Sequence, residues 1–548
     1  MFAVLFLVTV VVFAIGYLVY GRYMSNVYDL DKDKKTPSEE LYDGVDYCPA
    51  HPAVLAGHHF ASIAGAGPIV GPIAAGALFG WLPAFLWCLV GSVFFGGPHD
   101  MGAVVGSMRH EGKSMGEVVD RWIGGRAKTL FLTFTWLTLV LVVAVFLELS
   151  AKTLAKDPAV AFSGMLYILL ALIFGVLMNR FRVPLWLMTV IMVPLVLGAV
   201  WYGSSAAWVQ HAFSFGDDLA ARTNIWRLVL TGYVFIASVL PVWLLLQPRD
   251  YLASYMLYFA LIIGAVGMVF GAGQFESALP AFKGFNPVEG KFLWPMLFVI
   301  IACGAISGFH CMVGSGTTSK QLRKETDARL IGYGSMLIEG VLAVIALGTV
   351  MMAGKVIDND PVGTFGAGFG KFAALLHIDP KIGMSLGLLA INSFLLTTLD
   401  TATRLARYQI QELTGSKLDR YTATAIGVAG ALTLVYAKTG DLPAWKVIWP
   451  VFGTANQLVA ALALLGLAVW VIRGLNKKAG FLMWPMCFMF ATTLVALLFL
   501  IWDNLTGETR SYPVVVVSVI LLVLAVLLVR EAYVALHKDR RPPANAID

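Results

Sequence analysis

The chain has 548 residues, of which 59% are hydrophobic and 13% are charged, whereas an average soluble domain carries roughly 25% charged residues. The net charge of +6 is small for this length, and no basic stretch suggests a nucleic-acid partner. The five cysteines form no C-x-x-C pair, which argues against a disulfide framework or a zinc ribbon. The composition therefore indicates a protein embedded in a lipid bilayer.

Apolar runs recur along the whole chain, and many reach the roughly 20 residues that a helix needs to cross a bilayer. They are continuously apolar and not alternating, which predicts helices and not a membrane β-barrel. The first run has no basic segment before it and no A-x-A cleavage site, so we expect a retained helix. The fifteen predicted spans are residues 2–22, 57–80, 83–107, 128–150, 161–179, 183–203, 226–246, 251–272, 292–314, 330–353, 381–403, 421–437, 445–472, 481–502 and 511–530.

Basic residues orient these predicted spans. If the N-terminus lies outside the cell, the loops on the inner side hold most of the 39 lysines and arginines, as the positive-inside rule requires. The loops at residues 108–127 and 315–329 are among them, and Arg249 is counted in another inner loop. The odd number of spans then places the C-terminus in the cytoplasm.

The orientation of the spans predicts an internal repeat. Spans 2 to 6 begin on the inner side and spans 7 to 11 begin on the outer side, which is the arrangement that two inverted five-helix repeats require. The predicted organisation has four parts. They are an N-terminal helix and cytoplasmic loop at 1–56, a first repeat at 57–225, a second repeat at 226–420, and four C-terminal helices with a tail at 421–548.

One predicted span is interrupted by residues that disfavour a helix. Residues 57–72 read GHHFASIAGAGPIVGP, and Pro241 lies within a second predicted span in IASVLPVW. A break at mid-membrane exposes carbonyl groups to a cation and the positive end of a half-helix to an anion. Close helix packing through small residues is the alternative, which we favour for Gly76 and Gly80. The predicted substrate-binding residues are Gly65, Gly67, Pro68, Gly71, Ser238 and Pro241.

Titratable side chains inside predicted spans are candidates for ion coupling, because a charge there is costly. Glu339 is the deepest carboxylate, and Asp100 lies beside His99. Asp400 is four residues before Arg404, and this spacing predicts a structural ion pair. The predicted coupling residues are His58, His59, Asp100, His310, Glu339 and Ser307.

Four histidines fall in the inner half of the predicted membrane region. A histidine titrates near neutral pH and suits a proton relay, whereas clustered histidines also suit a metal or a haem. Separate hydrogen-bonded rings with no shared role are the third interpretation. The candidate metal ligands are His58, His59, His99 and His310. No G-x-S-x-G or H-E-x-x-H motif is present, so no enzyme active site is predicted.

Two amides interrupt a later predicted span. Asn456 and Gln457 lie in WPVFGTANQLVAA, together with Pro450 and Gly453. This stretch predicts either a further interrupted helix or hydrogen bonds between helices, and we favour the hydrogen bonds.

At three stretches the sequence resembles the carbon starvation protein A family. The stretches are HPAVLAGHHFASIAGAGPIVGP, SVLPVWLLLQPRDYLASY and ACGAISGFHCMVGSGTTSKQLRKETDARLIGYGSMLIEG. Asp100 matches the family pattern, whereas His99 stands where a glutamine is usual. The resemblance implies a fold of the amino acid–polyamine–cation superfamily, which is all-α with a LeuT-like core of five-plus-five inverted repeats.

The resemblance also implies a secondary transporter of the bacterial inner membrane that works during carbon starvation. Short peptides are the substrate class assigned to the family, and some relatives resemble proton-coupled pyruvate importers. GSGTTSK lacks the Walker spacing, so energy is expected from a gradient of protons or sodium ions, with no required cofactor. The alternatives are a membrane redox protein that holds haem or metal between histidines, and a channel. The sequence leaves the oligomeric state open.

Overall fold

The computed structural model describes residues 1–213, 218–271, 273–439, 442–507 and 510–537. This part of the chain is built of helices, with one short antiparallel pair of strands. By length and composition, eleven of its helices can cross a membrane, or twelve if one bent pair counts as a single span. A polytopic helical membrane protein is therefore confirmed, while the count of fifteen spans stays a prediction.

The described residues of the first half of the chain form fourteen α-helices. Short π-helical segments, Gly16–Tyr20 and Ser92–Gly96, join α1 to α2 and α6 to α7. The helices are α1 (Phe2–Ile15), α2 (Gly21–Val27), α3 (Pro37–Glu40), α4 (Pro52–Ile63), α5 (Gly67–Phe79), α6 (Trp81–Gly91), α7 (Gly97–Met108), α8 (Met115–Trp122), α9 (Gly125–Lys156), α10 (Pro158–Arg180), α11 (Leu185–Ser205), α12 (Ala207–Ala212), α13 (Leu219–Val239) and α14 (Leu246–Phe270).

In the second half, the residues that the structure describes add nine α-helices and the two strands. The π-helical segment Gly314–Thr318 continues α16, and Arg329–Gly334 leads into α17. The elements are α15 (Leu293–Ile300), α16 (Gly308–Val313), α17 (Ser335–Ala353), α18 (Pro361–Ala374), α19 (Pro380–Leu413), α20 (Arg420–Tyr436), β1 (Lys438–Thr439), β2 (Leu442–Pro443), α21 (Ala444–Arg473), α22 (Gly480–Thr506) and α23 (Tyr512–His537).

Two interrupted helices meet in the interior. Helices α4 and α5 are bent by 42° at a three-residue break, and α15 is separated from α16 by residues 301–307. A Cβ atom placed on Gly67 would lie 2.5 Å from Sγ of Cys303, and one on Gly71 would lie 2.6 Å from the carbonyl oxygen of Ile300. Since only glycine permits this approach, the two breaks are in direct contact.

Long helices from both halves of the chain pack around one another and around the broken helices. The long helices α9 and α19 pack along each other, and α13 and α20 each contact both of them. Helix α14 packs on α4, while α21 packs on α16. These contacts are compatible with a pairing of α4–α5, α9, α13 and α14 with α15–α16, α19, α20 and α21. The inverted repeat itself stays a prediction. Under that pairing the second half begins near Leu293, and the predicted boundary at residue 226 stays untested.

The predicted break at Pro241 is wrong in its position. Asp218 caps α13 by accepting a hydrogen bond from the Ala221 backbone N–H at 2.6 Å, so this helix begins seven residues before the predicted span. Leu240, which precedes the proline, is extended, as expected for a residue in that position. Pro241 therefore lies in the connection between α13 and α14 and not in the middle of a span.

Candidate functional site

The first break lies where glycine and proline predict it. The helix stops at Ile63, and Gly65 donates its backbone N–H back to the Ile63 carbonyl at 2.9 Å. Pro68 occupies the first turn of α5, a position that needs no backbone donor. The Ser62 carbonyl, freed by the break, accepts a hydrogen bond from Thr398 Oγ1 at 3.2 Å. A break within this glycine- and proline-rich stretch is therefore confirmed.

The second break is held by Asn456 from α21. Its Oδ1 accepts a hydrogen bond from the Phe309 backbone N–H at 2.8 Å, and its Nδ2 donates to Ser307 Oγ at 3.0 Å. The neighbouring Gln457 Nε2 donates to the Phe298 carbonyl at 2.5 Å. The predicted hydrogen bonds between helices are thus confirmed. As a consequence, the N-terminus of α16 already has a side-chain partner.

A small accessible space remains where the breaks cross. Gly67 and Cys303 are partly exposed, whereas Ala64 and Ser307 beside them are buried. The Cys303 thiol lies 3.5 Å from Ser307 Oγ. The beginning of α5, with the positive end of its helix dipole, borders this space.

A chain of four titratable side chains lies beside the second break. Asp100 bridges two histidines, with Oδ1 2.7 Å from His99 Nδ1 and Oδ2 2.9 Å from His310 Nδ1. His310 Nε2 is then 3.4 Å from Glu339 Oε2. All four side chains are fully buried. The structure therefore brings together His99, Asp100, His310 and Glu339, which come from three separate parts of the sequence.

The adjacent histidines of α4 contact the same half-helix. His58 Nε2 lies 3.3 Å from Thr317 Oγ1, and His59 Nδ1 lies 2.8 Å from Thr318 Oγ1. His58 Nδ1 also lies 2.5 Å from Asp250 Oδ2. These contacts tie α4 to the segment that continues α16.

A buried ionic cluster was missed by sequence reasoning. Arg249 is fully buried and not in a cytoplasmic loop, and it pairs with Asp250 at 2.7 Å and with Asp400. Tyr233 OH also donates to Asp400 Oδ2 at 2.6 Å. The predicted pair of Asp400 with Arg404 is therefore wrong. An adjacent Arg and Asp within the largely apolar stretch LLLQPRDYLASY was the available signal.

The two remaining predicted substrate residues lie elsewhere in the fold. Ser238, near the end of α13, lies 3.2 Å from Thr424 Oγ1 of α20, and Pro241 follows in the connection. Nothing in the described residues brings them to the contact between Gly67 and Cys303. Their predicted role in substrate binding stays a prediction.

The histidines do not fit a shared metal site. His99 and His310 direct Nδ1 to the same carboxylate, and His58 and His59 direct Nδ1 to Asp250 and to a threonine. Within the described ranges, no group of three or more His, Cys, Asp or Glu side chains has the geometry to hold a metal ion. The arrangement suits the sharing of protons through hydrogen bonds.

The chain matches one protein family along most of its length. The family model "Carbon starvation protein CstA" matches residues 1–359 and 349–496. The chain is 33% identical over 579 residues to "Peptide transporter CstA" of Bacillus subtilis (strain 168), with 94% of each chain covered. It is 32% identical over 545 residues to "Pyruvate/proton symporter BtsT" of Escherichia coli (strain K12), covering 83% of this chain and 75% of that protein.

Solved structures give a weaker likeness. A mutant of the manganese transporter of Eremococcus coleocola is 13% identical, with 90% of this chain and 98% of that chain covered and a TM-score of 0.47. A likeness at this level has no bearing on function.

Proposed function

Because the chain belongs to the carbon starvation protein CstA family, we propose that it is a secondary transporter that imports a small carboxylate-bearing nutrient. The printed names of its relatives include a peptide transporter and a pyruvate/proton symporter. We propose short peptides or pyruvate as the substrate class and protons as the coupling ion. The substrate crosses the membrane unchanged, so no enzyme activity is proposed.

The substrate site is proposed at the contact between the two breaks, and this contact is the observation that supports transport most directly. Broken helices at corresponding positions of two repeats are typical of transporter binding sites. The beginning of α5 presents backbone N–H groups and a positive dipole end to a carboxylate without a buried lysine. Gly67 and Cys303 would lie against the substrate because they retain exposed surface there.

The series of neighbouring side chains His99, Asp100, His310 and Glu339 supports proton coupling. His310 is the third residue of α16, the helix after the second break, and Glu339 lies beside it on α17. A proton accepted by Glu339 would remove its attraction to His310 and allow α16 to move relative to α17. Because a charge costs much in a dry membrane interior, such a change of protonation is coupled to the arrangement of these helices.

Sodium is the alternative coupling ion. Ser307, one of the predicted coupling residues, could offer its hydroxyl to sodium, but in the structure this hydroxyl accepts a hydrogen bond from Asn456 Nδ2. Other oxygens are available at the first break, where the Ser62 carbonyl meets Thr398 Oγ1, and Ser62 Oγ lies 3.2 Å from Thr401 Oγ1. Hard cations bind such oxygen atoms.

Uptake into proteoliposomes tests the proposal. Labelled dipeptide and labelled pyruvate are compared under an imposed proton gradient and an imposed sodium gradient. We expect saturable accumulation of one of them that an uncoupler abolishes and that a sodium gradient alone does not drive. Uptake that neither saturates nor responds to an uncoupler would indicate a channel. A haem band in the visible spectrum of the purified protein would indicate the redox alternative.

The proposed location is the bacterial inner membrane, with the N-terminus outside and the C-terminus in the cytoplasm. The distribution of lysine and arginine supports this orientation, since the loops before α8 and after the segment Gly314–Thr318 are basic.

A further inference from the structure

Residues 31–51 form a strap across the side that is predicted to face the cytoplasm. The Val45 carbonyl accepts a hydrogen bond at 2.9 Å from the Val242 backbone N–H, in the connection between α13 and α14. The Ala50 backbone N–H donates at 3.0 Å to the carbonyl of Gln321, which follows the half-helix of the second break. The strap therefore joins segments from both halves of the fold.

One side chain of the strap enters a pocket of positive charge. Asp46 Oδ1 lies 2.8 Å from Arg404 Nη1, and Asp46 Oδ2 lies 3.0 Å from Arg407 Nη2. Lys320 lies in the same pocket, with Nζ 3.6 Å from the ring centroid of Tyr408. Two further carboxylates, Glu412 and Asp43, act on the charge of Lys320. Asp46 is the carboxylate that contacts both arginines.

Several hydrogen-bond donors in the pocket have no partner among the described residues. Both arginines are 1% exposed, and Lys320 is 7% exposed. In the described part of the chain, Nε of each arginine and Nη1 of Arg407 are buried without a hydrogen-bond partner. Such guanidinium groups are suited to a carboxylate, which they can bind through two parallel hydrogen bonds.

Asp46 is held as a carboxylate at neutral pH. Burial by itself would raise the pKa of Asp46, but the Arg407 and Arg404 guanidinium groups hold that pKa well below its usual range. Burial lowers the pKa of Lys320. The attachment of the strap is therefore fully present above the ordinary pKa of an aspartate, and it would be lost only as the pH falls through the depressed pKa of Asp46.

The pocket lies at the inner end of the proposed path. Lys320 comes two residues after Thr318, the partner of His59 in α4. The arginines belong to α19, which contacts α4, and Arg404 Nη2 donates to the Leu240 carbonyl at 2.6 Å, beyond the end of α13. The strap thus covers the place where the inner ends of both broken helices approach α19.

We propose that the strap is a latch over the inner mouth of the transport path. Its Asp46 occupies a carboxylate site, and the carboxylate of the departing substrate takes over that site and releases the strap. This inference rests on the proposed function, since it assigns the exit step of that transport. It also gives Arg404 and Arg407 a role in substrate release. This role is separate from substrate binding at the two breaks.

Hydrogen–deuterium exchange of the strap in the purified full-length protein tests the latch. In Asp46→Asn we expect exchange in residues 31–51 to rise about tenfold without any ligand, which corresponds to about 1.4 kcal/mol. The matched control is Asp29→Asn, which removes an exposed carboxylate that pairs with Lys477 just before the strap. We expect the control to exchange like the wild-type protein.

The carboxylate site is tested by adding pyruvate to the wild-type protein and, in parallel, its uncharged amide. We expect pyruvate to speed exchange in the strap and the amide to leave it unchanged, while neither affects Asp46→Asn. Equal exchange in Asp46→Asn and the wild type would overturn the latch, and equal effects of pyruvate and its amide would overturn the carboxylate site.

Two further measurements distinguish failure of the latch from misfolding of the variant and from failure of the proposed transport function. If Asp46→Asn does not fold, Arg407→Lys serves instead. It keeps the charge but removes the guanidinium group whose Nη2 lies 3.0 Å from both Asp46 oxygens, so a smaller rise is expected. Wild-type exchange in Arg407→Lys would then count against the latch. The effect of Asp46→Asn needs no substrate, whereas loss of the proposed transport function would appear in the uptake assay alone.

Discussion

Glu339 is a carboxylate in the dry interior of the protein. It is fully buried, and neither of its oxygens has a hydrogen-bond partner in the described residues, although His310 Nε2 is 3.4 Å away. A carboxylate in this environment is stabilised either by a charged neighbour or by taking up a proton. Glu339 is therefore the residue that we propose accepts the coupling proton.

Glu339→Gln should separate coupling from binding. We expect this variant to lose accumulation driven by a proton gradient while it keeps exchange of labelled for unlabelled substrate, because the amide preserves the shape and cannot titrate. Both activities are measured in proteoliposomes. Normal accumulation driven by the gradient would exclude Glu339 as the coupling group.

Glu148→Gln is the matched control for this prediction. Glu148 is 1% exposed, and its carboxylate binds Arg227 Nε at 2.6 Å and Nη2 at 2.8 Å. It is thus a buried glutamate whose two oxygens both accept hydrogen bonds. It does not belong to the series of side chains His99, Asp100, His310 and Glu339. We expect its amide variant to lose some stability and to keep proton-driven accumulation.

The contact between the two breaks makes a prediction about helix elements. Gly67→Ala adds a Cβ atom that would lie 2.5 Å from the Cβ and Sγ atoms of Cys303. We expect this change to reduce uptake strongly, and Gly67→Leu to abolish it, while the protein remains inserted. Cys303→Gly removes both obstructing atoms, so the double variant with Gly67→Ala should recover uptake.

A double-variant cycle on uptake rates measures this coupling. Gly232→Ala is the control, because a Cβ atom on Gly232 in α13 would meet nothing within 4 Å. If the effects of the Gly67 and Cys303 substitutions on the uptake rate simply add, the contact between the two breaks does not affect transport.

Asn456 supports the second break from outside the broken helix. Asn456→Ala leaves the Phe309 backbone N–H buried without its acceptor, which costs on the order of 1–3 kcal/mol. We expect a lower unfolding temperature and weaker substrate binding, and Asn456→Asp should retain more of both because it keeps the acceptor oxygen. Thermal unfolding in detergent and substrate binding are measured together.

The control for this prediction is Asn504→Ala. Asn504 Nδ2 donates to the Leu500 carbonyl of its own helix, at 2.8 Å. The substitution should change neither measurement appreciably. If Asn456→Ala behaves like the control, the cap does not stabilise the break.

At the scale of the whole molecule, the orientation in the membrane is a prediction that labelling can test. The structure buries Gly112 and Gln321 in the two basic loops, so introduced cysteines are better placed at the exposed neighbours Glu111 and Thr326. An impermeant thiol reagent added outside intact cells should leave both unlabelled. It should label a cysteine at the exposed Glu289, which lies on the opposite side by the predicted topology.

Labelling of Glu111→Cys or Thr326→Cys from outside would reverse the assigned orientation. The strap would then cover the outer mouth of the path, and the proposed exit would become an entrance. The exposed native Cys487 must first be replaced, because it would contribute background labelling.

Local properties of the chain predict part of the fold and of the candidate site. Continuous apolar runs predict helices that cross a bilayer, and the glycines and Pro68 predict the break after Ile63, since helix propensity and hydropathy depend on neighbouring residues. The cost of a buried charge similarly pointed to Asp100, His310 and Glu339 before their contacts were known.

Only the tertiary structure decided which of these features meet. The second break, at residues 301–307, contains no proline, and its partner Asn456 comes from a distant helix, so its local signal is weak. Arg249 was predicted to lie in a loop because hydropathy depends only on neighbouring residues. It does not include Asp400, 151 positions later, which neutralises Arg249 in the interior. Pairing across such distances depends on how the helices pack, and the short-range pattern of a sequence does not contain that information.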